Sequence, residues 1–456
     1  MVRSERRALG VVVGFFGVAY GLYGLFRHWN FGSGAFDLGI FDQVVWHLSR
    51  FEPPASSIRG FSNFLGDHFF PVVTLFAPFY WIKPGPVTLI VVQALASAAS
   101  IVPVYLFARS RIPSGPALGM AVAYGCFWGI QRAIAFDVHE TAFSPLVIAI
   151  AILAMDRRQW GLFWIAVVAM LFVKEDHIPL VGGFGVLLVM QGERRRGIIA
   201  IAGSVAAMVA VVGVIIPAFN DIGSYEYTSS YIGVLTDPWR IPLSLVSPPI
   251  KMETAFLWFA PFAFLSLASP LALLVVPFAL IRFLSDSPNH WGTVFHYSAP
   301  LAPIVAMSAA DGLARIARHL REPAAHRFIA WATAVCVLGA AILPGRQPLW
   351  RVFAPAHYRA TESAQLGRDL LTMIPAEASV VAQAAIVPHL SSRDRIYVLD
   401  DRAPDADYVV ACASLSPWPA AAFDELGRLL ESRKAGGYEV IVERQGWTLL
   451  RHRSPG

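Results

Sequence analysis

Stretches of about twenty residues with almost no charge recur along three quarters of this chain, and lipid is the solvent in which such a pattern folds. The first runs from Ala8 to Phe26. Others follow near 86–108, 116–136, 142–156, 160–173, 177–191, 197–219, 253–269, 270–284, 297–314 and 328–344. A water-soluble domain carries roughly a quarter charged residues. Here the share is 15%, against 56% hydrophobic residues and a mean hydropathy of +0.55. The expected fold is mainly α, a polytopic transmembrane helix bundle of about eleven spans. Segment 69–82 is apolar but short and interrupted by Pro71 and Pro78, so it reads as a re-entrant or interfacial piece.

The basic residues then set an orientation. A net charge of +5 invites comparison with nucleic-acid binders, but the arginines sit in short clusters between apolar runs. Alternating the spans puts Arg3/Arg6/Arg7, Arg109/Arg111, Arg157/Arg158, Arg194/Arg195/Arg196 and Arg315/Arg318/Arg321/Arg327 on one side. The positive-inside rule makes that side cytoplasmic and leaves no case for a nucleic-acid partner. The opposite, extracytoplasmic side receives 27–85, 137–141, 174–176, 220–252, 285–296 and everything after 345. The basic leader before Ala8 is signal-like, yet the run ends in Arg27-His28-Trp29-Asn30 rather than a small-residue cleavage site, so a retained span is expected. Cys126, Cys336 and Cys412 have no motif spacing and imply no disulfide framework. The chain divides into a membrane module, 1–345, with a long first outer loop at 27–85, and an extracytoplasmic α/β domain, 346–456. In the latter, candidate helices (361–374, 418–433) alternate with β-rich runs and end in a hairpin around Gln445-Gly446.

Acids and histidines collect on the outer side. The first outer loop carries Asp37, Asp42 and the pair Asp67-His68; the next carries Asp137-Val138-His139-Glu140. Lys174-Glu175-Asp176-His177 lies between two spans, and Arg282 precedes a loop with His290 and His296. Each has a plain reading. Asp37 precedes Leu38, Phe41, Val45 and Leu48 at helical spacing and reads as the N-cap of an interfacial amphipathic helix. Lys174-Glu175-Asp176 reads as a neutralised helix end, and the acid/His pairs as hydrogen-bonded loops. Their convergence on one membrane face favours chemistry, because ionisable groups at membrane depth are expensive. P-loop, G-x-G-x-x-G and H-E-x-x-H motifs are absent, so soluble nucleotide chemistry and zinc proteolysis lack support. A transporter or lipid flippase would need polar residues through the span centres and an inverted repeat, neither of which is seen. A non-catalytic envelope scaffold would leave the tail as the binding part.

In order along the chain, FDLGIFDQ, LGDHFFPV, FDVHE, KED and SPNHW…HYSAP resemble the prokaryotic membrane family called domain of unknown function 2079. That family is grouped with the GT-C superfamily of membrane glycosyltransferases. The resemblance covers roughly 8–320, with the tail less diagnostic. It implies a multi-pass protein of the prokaryotic plasma membrane, acting as an inverting glycosyltransferase that takes a sugar from a polyprenyl-phosphate carrier. The acceptor would be an envelope glycan, lipid or protein. It also implies an acid just after the first span, a position Asp37 matches, and a second acid in a following loop, which Asp137 or Glu140 matches; Asp42 and Glu175 are further supporting acids. The residues agree: transfer from a lipid phosphate needs one base and donors for the departing phosphate. Lys174, Arg282, His290 and His296 are available for the second task. A divalent metal (Mg, Mn or Zn) on Asp67, His68, His139 and Glu140 would serve the same end.

Overall fold

The computed structural model describes residues 1–453. Four helices are each long and apolar enough to cross a membrane: Arg3–Trp29, Pro86–Arg109, Arg194–Ala218 and Glu322–Ile342. Around them pack shorter helices, among them Ser144–Asp156, Ile178–Met190 and Leu301–Ala317. Leu301–Ala317 is buried along most of its length and lies at the centre of the bundle.

Two of the expected spans break in the middle. The run 116–136 is two helices, Ser114–Cys126 and Trp128–Phe136, because Phe127 adopts an extended conformation. The run 253–269 is not one helix. Ile250–Phe259 stops before Pro261, whose missing N–H interrupts the ladder, and Ala263 and Phe264 turn left-handed. The joint at Ser269-Pro270 is a tight turn: Ser269 Oγ donates to Asp311 Oδ2 at 2.7 Å. Segment 69–82 forms short helical turns (Pro71–Phe76, Ala77–Tyr80) that bury Val73, Phe76 and Tyr80 and leave Leu75, Phe79, Trp81 and Ile82 exposed.

The two ends of the bundle differ. At one, Arg111 joins Asp156 and Asp311, Arg315 joins Asp311, and Glu193 holds Arg158 and Arg196. The acid/His loops occupy the other end, together with the tail.

The tail is a five-stranded sheet of β1 (Val380–Ala382), β2 (Ile396–Val398), β3 (Tyr408–Cys412), β4 (Tyr438–Arg444) and β5 (Trp447–His452), in the order β2-β1-β3-β5-β4. Strands β1, β2 and β3 are parallel, and the β4–β5 hairpin turns at Gln445-Gly446, both at positive φ, as a two-residue turn of matching twist requires. The helix expected over 418–433 begins only at Phe423, after Pro417 and Pro419. Alternate residues face two cores. Val381, Val409 and Leu450 lie under the helix Phe423–Ala435. Val380, Val410 and Leu449 meet Phe31 and Ala35 of the first long loop. The sheet therefore closes one face with a segment more than three hundred residues upstream.

Candidate active site

The first long loop leaves the helix Arg3–Trp29 and is fixed at once. Arg27 and the amide of Gly34 (2.8 Å) both bind the Asp137 carboxylate. Gln93 donates to the Asp137 carbonyl at 3.1 Å. Asp137 itself is held at φ 112°, a conformation natural only to glycine. That expected second acid thus ties the start of one loop to the start of another.

Three residues past Gly34, Asp37 sits in a π turn, Ala35–Gly39, in which the amide of Gly39 bonds the carbonyl of Gly34. Asp37 caps nothing. The helix that follows, Ile40–Ser49, is not interfacial either: Leu38, Phe41 and Val45 face an inner core, and its polar residues are buried against the tail. Freed from capping, the Asp37 carboxylate lies 2.7 Å from His139 Nε2. Burial raises the Asp37 pKa above the ordinary value; His139 opposes that rise, and Asp137 and Glu140 add to it. For His139 burial acts to lower the pKa, but Asp37 outweighs it and the net shift is upward. The His139 ring lies against His296, centroids 3.6 Å apart, and stacks on Phe136. Both ring nitrogens of His296 are buried without a partner; burial, then the cations His139, Lys174 and Arg282, drives its pKa far down, so it is a neutral imidazole.

Glu140 is buried and meets Lys174 Nζ at 2.7 Å. Burial would raise the Glu140 pKa, but Lys174 and His139 bring it below the usual carboxylate range. Glu175 accepts from the Phe69 amide (3.0 Å), from Tyr225 (2.9 Å) and from His68 Nδ1 (2.5 Å). Asp67 meets Tyr227 (2.9 Å) and Arg59 (3.4 Å). The four expected metal ligands therefore do not draw together. Lys174 occupies the cation position beside Glu140, Arg59 that beside Asp67, and His68 is spent on Glu175. The donor set does not fit one ion. The sole three-ligand grouping among the described residues, His47, Glu52 and Asp394, is elsewhere.

Lys174, Glu175, Asp176, His68, Arg282 and His290 line a cavity of about 490 Å³ whose other walls are apolar: Met208, Val212, Leu235, Phe278 and Ile281. Tyr225, Tyr227 and Tyr231 close it, drawn from the loop at 220–252. Sequence reasoning passed over these tyrosines, although the run YEYTSSY was there as an aromatic and polar signal. Tyr297 joins the wall and feels the charges of Asp37 and Glu140. Arg282 is buried with no carboxylate partner, its guanidinium donating to the carbonyls of His290 and Gly292 and to Ser298 Oγ. His290 bonds Ser285 at 2.8 Å, and burial next to Lys174 and Arg282 lowers its pKa to about 4. Of the four expected phosphate-binding residues, Lys174 and Arg282 bring charge, while His290 and His296 are neutral.

Asp42 is elsewhere. Fully buried, it accepts from Tyr80 (2.6 Å), Ser391 (2.8 Å) and Ser392 (2.8 Å), while its neighbour Gln43 bonds Ser57 and the carbonyls of Arg393 and Asp394. It is the anchor of the tail and faces no part of the cavity.

This architecture, a polytopic helix bundle with its polar loops and a small sheet at one end, is the GT-C fold. It superimposes on ArnT from Cupriavidus metallidurans bound to undecaprenyl phosphate with a TM-score of 0.57, 12% identity and 98% of both chains covered. For apo ArnT the values are 0.57, 14%, and 97% and 98% of the two chains. The archaeal oligosaccharyltransferase AglB from Archaeoglobus fulgidus, in complex with an inhibitory peptide and a dolichol-phosphate, aligns at 0.47 and 14%, over 99% of this chain and 74% of its own. No curated protein sequence matches. The chain belongs to the family of predicted membrane proteins DUF2079, which matches residues 27–449. The tail, less diagnostic by sequence, is thus part of what defines the family.

Proposed function

We propose that the chain transfers a sugar from a polyprenyl-phosphate carrier to an acceptor hydroxyl at the extracytoplasmic face of a prokaryotic plasma membrane, with Asp37 as general base. The observation that carries this is the Asp37–His139 pair, whose chain neighbour Glu140 meets Lys174 at the polar end of a cavity with apolar walls. A raised carboxylate pKa makes Asp37 a stronger base, and the adjacent imidazolium steadies the charged form. The acceptor O–H gives its proton to Asp37 as its oxygen bonds the anomeric carbon. The bond from that carbon to the phosphate oxygen breaks, and the phosphate leaves with the electron pair. One displacement inverts the anomeric centre. The phosphate is already a good leaving group, so no second carboxylic acid is needed; Lys174 and Arg282 stabilise its charge, and the neutral His290 donates or accepts beside them. The apolar wall suits an isoprenoid chain, and the fold shared with a protein seen with undecaprenyl phosphate supports the same reading.

The test uses purified full-length protein in nanodiscs with a panel of polyprenyl-phosphate-linked labelled sugars and mixed envelope acceptors. At least one donor should yield labelled acceptor and free polyprenyl phosphate in equal amounts. Movement of intact donor between leaflets without cleavage would instead make the protein a flippase. Reporter fusions after Arg196 and after Ser363 should read opposite sides of the membrane, because the arginine clusters gather at the end away from Asp37.

A further inference from the structure

A second cavity, about 830 Å³, is lined in part by Phe136, whose ring lies against His139 and His296. Its charge is unlike that of the first. The first balances Lys174 and Arg282 against Glu175 and Asp176. The second is lined by Arg27, Arg132, Arg346 and Arg351 and by no acid. Arg27 is committed to Asp137, but Arg132, Arg346 and Arg351 have no carboxylate partner among the described residues, and Arg132 Nε is buried without any partner. Three uncompensated guanidiniums around one concavity repel one another, the more so where lipid lowers the dielectric. An anion that accepts several forked N–H donors relieves this, and phosphate is the group whose geometry arginine matches.

The position narrows the source of that phosphate. The helices Arg3–Trp29 and Glu322–Ile342 both end at this cavity, which places it at head-group depth. Its rim is apolar and open: Val294, Ile342 and Trp350 are 60%, 56% and 55% exposed. The volume is far larger than one inorganic phosphate needs. We propose that this cavity binds the phosphate-bearing head group of a lipid other than the polyprenyl carrier, with the acyl chains leaving over the apolar rim. The proposal stands whether or not the chain is a transferase.

The experiment measures binding of radiolabelled phosphatidate to the full-length protein in detergent, with dioleoylglycerol and orthophosphate as competitors. Phosphatidate should bind saturably and dioleoylglycerol should not displace it. The double variant Arg132→Gln/Arg351→Gln should weaken binding by about tenfold or more, two charge-assisted contacts being lost. The charge-keeping Arg132→Lys/Arg351→Lys should retain more than the Gln pair. Arg194→Gln/Arg195→Gln, which removes the same charge at the opposite end, should bind as the parent does. Neither cavity arginine carries an ion pair, so an unchanged thermal transition is expected to show that loss of binding is not loss of fold. Undiminished binding by the Gln pair would overturn the site. Orthophosphate competing as well as the lipid would overturn the lipid assignment. Loss of undecaprenyl-phosphate binding in the same variant would overturn the claim that a second lipid is held here.

Discussion

The two ends of the bundle are made from the same residue types and use them in opposite ways. At the basic end Asp311 is closed by Ser269, Arg111 and Arg315, and water still reaches Arg315, which is 43% exposed. At the other end Glu175 and Asp67 are partnered, but three neighbouring groups are buried and left incomplete. Glu140 Oε1 and His139 Nε2 approach a cation and an anion without forming well-directed hydrogen bonds, and neither ring nitrogen of His296 has a hydrogen-bond partner among the described residues. Saturated pairs hold structure. Unsaturated buried polar atoms call for another explanation, and a ligand is one.

The sharpest way to break this contrast is Asp37→Asn. Because Asp37 caps no helix, the substitution removes a base and its charge on His139 while keeping an acceptor for that ring. Transfer of labelled sugar should fall by at least about a hundredfold, with the thermal transition unchanged. Near-normal transfer would move the search to Glu140. The mirror experiment is Asp311→Ala. It strands Arg315 and leaves Arg111 with Asp156 alone, and partial exposure softens the loss to about 2 kcal/mol of stability. Transfer per folded molecule should stay at the parent level; a parallel loss of turnover would erase the distinction between the ends.

The contrast was half legible in the sequence. Apolar runs and arginine clusters depend on local composition, so the bundle, the separation of its arginine clusters from its acid/His loops, and the grouping of Asp37, His139, Glu140 and Lys174 at one end could be read directly. So could the hairpin at Gln445-Gly446, since its turn chemistry is local. Partnership could not. His68 finds Glu175 across 107 residues and Asp42 finds Ser391 across 349, and no periodicity encodes such pairs. The cap assigned to Asp37 failed for a related reason. A π turn after Gly34 is set by the Asp137 clamp from another loop, and the helical spacing of Leu38, Phe41 and Val45 persists unaltered through it.

Asp42 tests the claim that not every buried acid at the site end is chemical. Asp42→Ala strands three hydroxyls and should loosen the tail by about 2 kcal/mol, read as protease sensitivity of the region after 345. Asp42→Asn keeps an acceptor and should cost less than about 1 kcal/mol. Burial lifts the Asp42 pKa from 3.8 to about 6, the three hydroxyls only partly opposing it. The folded state therefore holds the proton more tightly than the unfolded one. This contribution to stability is complete below the unfolded pKa and is lost as pH rises through about 6. Docking of the tail should weaken over that interval in the parent and stay flat in Asp42→Asn.

The smallest effect, and the one that looks most closely at the pair, comes from His139→Gln. On the proposed mechanism transfer requires ionised Asp37, so the rate should fall on the acid side as Asp37 takes up a proton. In the parent, burial raises the Asp37 pKa and the neighbouring imidazolium restrains it. Glutamine keeps an N–H donor but removes the positive charge, so the restraint goes while the burial stays. The acid limb of kcat/KM should move to higher pH, with the plateau lowered only modestly. A limb that moves to lower pH would mean His139 is neutral in the working enzyme, its role steric. The Asp37 pKa would then be set by Asp137 and Glu140, and Glu140→Gln, by removing a like charge, should move the limb down instead.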